Sequence, residues 1–510
     1  MFRMNSVITD SANDKKIILE QLNFGARIAE EEADFLESYF VQTDQWKRIL
    51  KGEIDIIYGA KGAGKSAIYT LLQNYKEHMF SKNILMATAE NPRGATIFRN
   101  IISDPPASEH DFIIFWKVYI VGLLWKTFQE YDFNTPKAKN FIGRLIECGL
   151  LPTEGGLARL FKAAKDFAKR LMKRQARAVT WTASLDPTTG IPIPIRTAEY
   201  AQELDEERGL AVFDPEEMLQ EANDVLQDEG FICWSLFDRL DVAFEDSKDL
   251  ERNALRALFR VYNDLRGLSR ISLKIFVRDD IWRRITETGF SEASHITRTV
   301  TIKWDSESLL NLIVRRLLSN PGVVKAASVS PIEVLGSLER QRSVFYRIFP
   351  DRIDSGPNKP QTFEWMLGRT KDGTGVNTPR ELIHFLTEIR DEQIRRLEQG
   401  DTVPDENFLF NRVVFKDALK IVSEARLTQT LLAEYAELRP SIMALRNERT
   451  LHTPETLAKL WQVEATQAQA MAALLVSAGF FEPRGTKAQP QYWVPFIYRD
   501  ALEMVQGTAE

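Results

Sequence analysis

Eight consecutive residues, Gly59-Ala60-Lys61-Gly62-Ala63-Gly64-Lys65-Ser66, fit the pattern GxxxxGK[ST] in full. Glycines at these positions let backbone N–H groups converge on phosphate oxygens. A following helix adds the partial positive charge of its N-terminus. The Lys65 ammonium would neutralise the β- and γ-phosphates, and the Ser66 hydroxyl would ligate Mg²⁺. The flanks are those the motif requires. Ile54-Asp55-Ile56-Ile57-Tyr58 reads as a buried strand, and Ala67-Ile68-Tyr69-Thr70-Leu71-Leu72 reads as the first turns of a helix. The expected nucleotide-contacting set is therefore Gly59, Ala60, Lys61, Gly62, Ala63, Gly64, Lys65, Ser66 and Ala67.

Such a loop needs an acid at the end of a neighbouring strand to help hold the metal. Asp238 follows the apolar run Phe231-Ile232-Cys233-Trp234-Ser235-Leu236-Phe237 and is placed for that role beside Ser66. Asp241, three residues on, either polarises the attacking water or is a solvated acid or helix cap. The usual strand-end pair is two acids in succession, whereas Arg239-Leu240 separate these two. Arg278 ends the next strand, Ser272-Leu273-Lys274-Ile275-Phe276-Val277. It either senses the γ-phosphate or pairs structurally with Asp279 or Asp280. Arg380, on a later helix, either reaches the nucleotide from a lid or bridges within the helices.

The elements that carry these residues alternate between strand and helix. Asn83 to Ala89 reads as a second core strand, Leu250 to Leu265 as a helix, and Thr299 to Trp304 as a further strand. Continuous apolar strands alternating with helices predict an α/β fold, with a mostly parallel sheet covered on both faces. From Asp305 helices dominate. Ser306 to Leu318 is one, and Asn320 to Gly375 is weakly patterned. Pro379, preceded by polar residues, opens a helix that runs from Glu381 to Leu397. The expected organisation is an N-terminal helical segment (1–52), a core (53–304) with an insert over about 95–215, a helical lid (305–405) and a C-terminal unit (406–510).

With 510 residues the chain is too long for one core. A 44% hydrophobic and 27% charged composition is that of an ordinary globular protein. The net charge of -6 argues against a bulk nucleic-acid coat, not against a local basic patch. Two distant cysteines, Cys148 and Cys233, make neither a zinc site nor a disulfide framework, which fits a cytoplasmic setting. The most apolar run, Phe112 to Trp125, is interrupted by Lys117 and falls short of the about 18 residues of a membrane span. It reads as a buried helix.

Three further segments stand out. Glu30-Glu31-Glu32-Ala33-Asp34 with Phe35 to Phe40 reads as an amphipathic helix bearing a solvated acidic face. Leu157 to Arg177 reads as a basic amphipathic helix. Leu157, Leu160, Phe161, Ala164, Phe167 and Leu171 form its apolar stripe. Lys162, Lys165, Lys169, Arg170, Lys173, Arg174 and Arg177 occupy the remainder, which suits nucleic acid, an acidic partner or a membrane surface, or is a solvated face. Val179 to Ser184 and Ile191 to Arg196 read as a hairpin around Asp186-Pro187-Thr188-Thr189-Gly190. At the C-terminus, Thr453 to Trp461 and Thr466 to Ser477 read as helices. They are followed by a hairpin around Pro483-Arg484-Gly485-Thr486-Lys487, the pattern of a winged helix.

Taken in order, these pieces resemble bacterial AAA+-related P-loop ATPases of the STAND and origin-recognition-like kind. Carrying the resemblance are Phe24-Gly25, Glu30-Glu31-Glu32, Phe40-Val41-Gln42-Thr43, the loop Tyr58 to Ser66, Asp238-Arg239-Leu240-Asp241, Phe276 to Asp280 and Asn377-Thr378-Pro379-Arg380, with the C-terminal winged helix behind them. The resemblance implies ATP as nucleotide, a helical lid after the sheet and a nucleotide-driven switch. It also implies a setting in anti-phage defence, signalling or DNA transactions, with a protein partner or effector and self-association among the expected contacts. Two other functions compete. A DNA-binding ATPase would use the winged helix or the basic helix. A scaffold would bind nucleotide without hydrolysing it. The second helix of the winged-helix motif, Thr466 to Ser477, lacks Lys and Arg, which favours packing or partner binding over base reading. No base-reading Asn/Thr-Lys-x-Asp motif of a GTPase is present.

Overall fold

Short runs of β-branched and aromatic residues, each closed by a polar or glycine turn, become strands buried on both faces. In the structure, a computed structural model, the described residues are 12–32, 35–41, 43–89, 108–150, 156–177, 179–185, 192–198, 214–240, 248–287, 289–401 and 408–509. The chain divides into two compact units. One joins Asp44–Gly59 to Lys65–Thr301, and the other joins Met1–Thr43, Ala60–Gly64 and Ile302–Glu510.

The first unit is α/β. Its strands are β1 (Ile56–Gly59), β2 (Ile84–Thr88), β3 (Val179–Leu185), β4 (Pro192–Ala198), β5 (Ile232–Phe237), β6 (Ile271–Arg278) and β7 (Thr299–Ile302). Five of them form one sheet in the order β2-β5-β6-β1-β7. The pairs β2–β5, β5–β6 and β6–β1 are all parallel. The expected hairpin is present as β3 and β4, an antiparallel two-stranded ribbon in which Val179 faces Ala198. Its turn, Asp186 to Gly190, lies outside the described residues.

Helices of this unit include α1 (Lys65–Asn74), α2 (Glu109–Glu130), α3 (Leu157–Arg177), α4 (Pro215–Glu229), α5 (Lys248–Leu265) and α6 (Asp279–Glu287). The apolar run is the buried helix α2. Ser108 and Asp111 close its start as a reciprocal capping box. Trp116 donates from Nε1 to the Ala254 carbonyl at 2.8 Å, and the Tyr119 hydroxyl donates to the Ala89 carbonyl at 2.7 Å. Lys117 is buried, and its ammonium meets Glu216 at 2.6 Å and Asp264 at 2.7 Å. Burial alone would push its pKa down, but the two carboxylates outweigh it and hold it above the ordinary lysine value. No helix among the described residues is long and apolar enough to cross a membrane.

One charged cluster in this unit was not anticipated. Lys274, in the middle of β6, is fully buried. Its ammonium lies 2.8 Å from an Asp55 carboxylate oxygen, 2.6 Å from the Ile54 carbonyl and 4.2 Å from the Trp234 ring centre. Arg298 and Tyr262 close on the second Asp55 oxygen at 2.8 and 3.1 Å. Burial pushes the Lys274 pKa down, against the pull of Asp55.

The second unit is mostly helical. It includes α7 (Ser306–Leu318), α8 (Pro379–Glu398), α9 (Arg412–Ala425), α10 (Pro454–Trp461) and α11 (Ala465–Ser477). The weakly patterned stretch before α8 holds four helices, Pro321–Ala327, Pro331–Leu335, Leu338–Ile348 and Thr362–Thr370. None exceeds 11 residues, at or below the shortest window in which a helical period is read. Among the described residues, the expected acidic helix near the N-terminus is not formed as one element. A 3₁₀ turn, Ala29–Glu32, and a single turn, Leu36–Tyr39, stand in its place. Glu32 is no solvated acid. It is buried and forms two contacts with the Arg316 guanidinium, at 2.8 and 2.9 Å, from the facing helix α7.

After α9 the chain makes a π-turn, Arg426–Leu431. Arg426 joins Glu381 at 2.9 Å and Asp372 at 3.1 Å. Strands β8 (Arg449–His452), β9 (Glu482–Gly485), β10 (Pro490–Trp493) and β11 (Val505–Thr508) form a sheet in the order β11-β8-β10-β9. The hairpin β9–β10 pairs Glu482 with Trp493 and Gly485 with Pro490. Pro483, Arg484 and Gly485, expected in the turn, therefore lie in the strand. The 4-stranded sheet extends the ladder further than the apolar residues alone signal.

Candidate functional site

The glycine loop leaves β1 at the carboxyl end of the parallel strands, where open α/β sheets bind ligands. Gly62 and Gly64 have φ of 82° and 100°, a region that side chains with a Cβ rarely adopt. Lys65 and Ser66 then open α1, with Ala67 in its first turn. Within the first unit, the Lys65 ammonium donates to the Gly59 carbonyl at 2.8 Å, drawing the two ends of the loop together.

Two neighbouring strands of the same unit end on the same edge. Gly59 is register partner of Arg278, the last residue of β6. Phe237, the last residue of β5, pairs with Ile275, and Asp238 follows it directly. Asp238 is only 3% exposed. The next residue, Arg239, has φ of 57°, a left-handed turn uncommon outside glycine, which carries the chain away from the strand end. The sheet order thus places Lys65, Ser66, Asp238 and Arg278 at the carboxyl edge of the sheet. Asp241 lies outside the described residues.

Arg278 is engaged structurally. Its Nε and Nη2 atoms meet the two oxygens of Asp280 at 3.0 and 2.8 Å, a bidentate fork across the start of α6. Of the two alternatives in the sequence, the pairing is formed, and it is Asp280 that takes the fork. Burial would raise the Asp280 pKa, but the Arg278 guanidinium overrides it and holds the carboxyl below its ordinary value.

In the second unit, the crown of the loop is enclosed by helical residues. A Cβ on Gly62 would stand 3.1 Å from Arg380 Cβ and 3.1 Å from Thr378 Oγ1, a tight fit that adds to the conformational demand of its positive φ. Trp304 donates from Nε1 to the Ala63 carbonyl at 2.8 Å. The Lys61 ammonium pairs with Glu434 at 2.9 Å. Arg380 therefore lies beside Gly62 of the loop. Thr378 occupies the N-cap position of α8, yet its hydroxyl makes no capping bond. Thr378 belongs to the motif Asn377-Thr378-Pro379-Arg380, but nothing in the sequence marked Trp304 and Glu434 as loop neighbours, because only the folded chain brings them there.

The donor set fits a nucleotide with Mg²⁺. Gly62 and Gly64 take the positive φ that lets successive loop amides turn toward one anion. Ser66 and Asp238 are oxygen donors of the kind that a hard cation accepts. Mg²⁺ usually takes one or two protein oxygens and completes its shell with phosphates and water. No group of three or more His, Cys, Asp or Glu side chains able to hold a metal occurs among the described residues.

The basic helix α3 packs its apolar stripe as expected. Phe161 meets Phe115 and Tyr119 edge-on, with ring centres 5.2 and 5.1 Å apart. Leu160 presses on α2 where Gly122 leaves room, since a Cβ there would lie 2.7 Å from Leu160 Cδ1. Lys162 and Arg170 are exposed. Lys165 departs from the expectation, being buried at 8% exposure. It sits one turn after Phe161, on the border of the packed stripe, where its stem covers apolar surface. The side chains of Lys173, Arg174 and Arg177 lie outside the described residues.

No protein-family model matches the chain, and no curated protein matches it significantly. Among solved structures, the ORC1 protein of Aeropyrum pernix in complex with DNA is similar at a TM-score of 0.39 and 11% identity, over 94% of this chain and 96% of that one. The ORC2 protein of the same organism, in ADPNP-ADP complexes, is similar at a TM-score of 0.36 and 12% identity, over 92% and 91%. At scores this low, the α/β fold class rests on this chain's own sheet and helices.

Proposed function

We propose that the chain is a Mg²⁺- and ATP-binding P-loop ATPase that acts as a nucleotide-dependent switch. The observation that carries this reading is the complete GxxxxGK[ST] loop at the carboxyl end of β1, with two left-handed glycines and Lys65 and Ser66 opening α1. In this reading the loop amides cradle the phosphates, and Lys65 neutralises the β- and γ-phosphate oxygens. Ser66 and Asp238 hold Mg²⁺, which supplies charge neutralisation on the phosphates. Arg278 stands at the γ-phosphate end of the sheet edge, and Asp241 orients the attacking water. Arg380 contributes from α8, the first helix of a lid.

Switching follows from the crown contacts. Phosphates that reorder Ala60–Gly64 must also act on Thr378, Arg380, Trp304 and Glu434, which touch it. Helices α10 and α11 with the β9–β10 hairpin form a winged helix in this reading. The absence of Lys and Arg from α11 favours a protein partner there over base reading.

Calorimetric titration with Mg-ATP, on wild type and Lys65→Ala, tests the binding step. The variant should bind at least about 1.5–3 kcal/mol more weakly, the worth of a hydrogen bond to a charged group. Equal affinities would sink the assignment. Single-turnover phosphate release separates an ATPase from a scaffold that binds ATP without hydrolysing it.

A further inference from the structure

Trp304 immediately precedes α7 in the second unit, close to where Asp305 caps the helix by accepting from the Ser308 N–H at 2.7 Å. The cap helps to fix the backbone that carries the indole. The ring is half-buried and packs on the apolar core of its unit. Its Nε1 donates to the Ala63 carbonyl at 2.8 Å. Ala63 is only 2% exposed, so water competes little for that oxygen.

A trans peptide is planar, and the C=O of one residue points opposite to the N–H of the next. The Ala63 carbonyl and the Gly64 N–H share one such plane. With the carbonyl held by the indole, the Gly64 N–H points away from it. Among the described residues, that N–H has no backbone hydrogen-bond partner. Two further loop carbonyls are engaged. Ala60 accepts from the Ala63 N–H at 3.1 Å, and Gly59 accepts from the Lys65 ammonium at 2.8 Å within the first unit. The Lys65 bond must break before the ammonium can reach a phosphate. The Trp304 bond need not, because the indole is no phosphate ligand in the reading above.

We propose that Trp304 is a positioning residue for phosphate, fixing the Ala63–Gly64 peptide so that the Gly64 N–H is presented to the anion before it arrives. The proposal rests on the ATP-binding reading above and adds to it a residue outside the motif. The indole suits the role because it donates one hydrogen bond and accepts none, so it holds only the carbonyl side of the peptide. A peptide turned the other way would set a carbonyl oxygen against a phosphate oxygen. It would also leave the indole N–H and the Ala63 carbonyl without each other, at a cost in free energy. A donor already aimed at the anion needs no reorganisation when the anion binds. Trp304 acts through the peptide and touches no phosphate itself.

The test uses the full chain and two variants. Trp304→Phe removes the donor and keeps an aromatic ring. Trp304→benzothienylalanine, introduced at that position alone, replaces the N–H by sulfur at nearly the same shape, so packing and fold are retained. Mg-ATP and Mg-tripolyphosphate, which carries no nucleoside, are titrated calorimetrically. Both variants should bind both ligands roughly three- to tenfold more weakly than wild type, the worth of one neutral hydrogen bond. Urea midpoints of the isosteric variant should match wild type within about 1 kcal/mol. Wild-type affinity in the isosteric variant overturns the proposal, because the indole then serves packing alone. Weaker ATP binding with unchanged tripolyphosphate binding also overturns it, because the indole then serves the nucleoside. So does a wild type that binds ATP and not tripolyphosphate, because the loop is then no preformed phosphate nest. A wild type that binds neither ligand sinks the nucleotide reading itself, and the proposal with it.

Discussion

The Lys61 ammonium lies 2.9 Å from the Glu434 carboxylate, joining the glycine loop to a residue 373 positions further along the chain. Glu434 closes a short helix, Leu432–Glu434, that follows the π-turn after α9. The turn begins at Arg426, which is tied to Glu381, the neighbour of Arg380. Two routes of contact, one through Glu434 and one through α8, thus converge on the loop crown.

That pairing makes the loop sensitive to a distant charge. Glu434→Gln should speed release of a bound nucleotide, measured with a fluorescent ADP analogue by stopped flow. Both partners are partly exposed, so the effect should be modest, up to about 1 kcal/mol or roughly fivefold. An unchanged release rate would show that the pair does not restrain the loop.

Asp280 sets an expectation for pH. The Arg278 fork holds its folded pKa below the unfolded value of 3.8, against the opposing effect of burial. A lowered carboxylate pKa stabilises the fold fully above the unfolded value, and that contribution fades as pH falls through the folded one. Asp280→Asn should therefore be less stable than wild type near neutrality, and the gap should close in acid. Urea midpoints taken from about pH 7 down to pH 2 provide the measurement. A gap that does not shrink in acid would assign the loss to packing rather than charge.

Asp238→Asn separates binding from turnover. Nucleotide should still bind through the loop amides and Lys65, while Mg²⁺-dependent phosphate release should fall by roughly a hundredfold or more, in line with loss of a metal-linked electrostatic group. A variant that hydrolyses ATP at the wild-type rate would show that β5 is not the metal strand.

Helix α3 offers the test of a polyanionic partner. If its exposed basic residues dock nucleic acid, binding should weaken roughly tenfold or more from low to physiological salt, because neutralised phosphates release counterions. Reversing Lys169, Arg170, Lys173 and Arg174 to glutamate should abolish the interaction and leave ATP affinity unchanged. Mobility shifts with single- and double-stranded DNA and RNA report the outcome. Absence of any shift with wild type at low salt would leave α3 a solvated face.

Local sequence was sufficient wherever the determining forces are local. The glycine loop is legible because left-handed backbone and phosphate approach both demand glycine at set spacings. The core strands are legible because burial on both faces demands unbroken apolar runs, and α3 because its stripe repeats with the helical period. Long-range partnerships were not legible. Glu32 read as solvated until Arg316 faced it, Lys274 lay in an expected strand that carried no sign of its partner Asp55, and Arg278 had two possible acids until the turn into α6 presented Asp280. Whether a charged side chain is buried depends on a counter-charge that the sequence places anywhere along the chain, and folding alone brings it within reach.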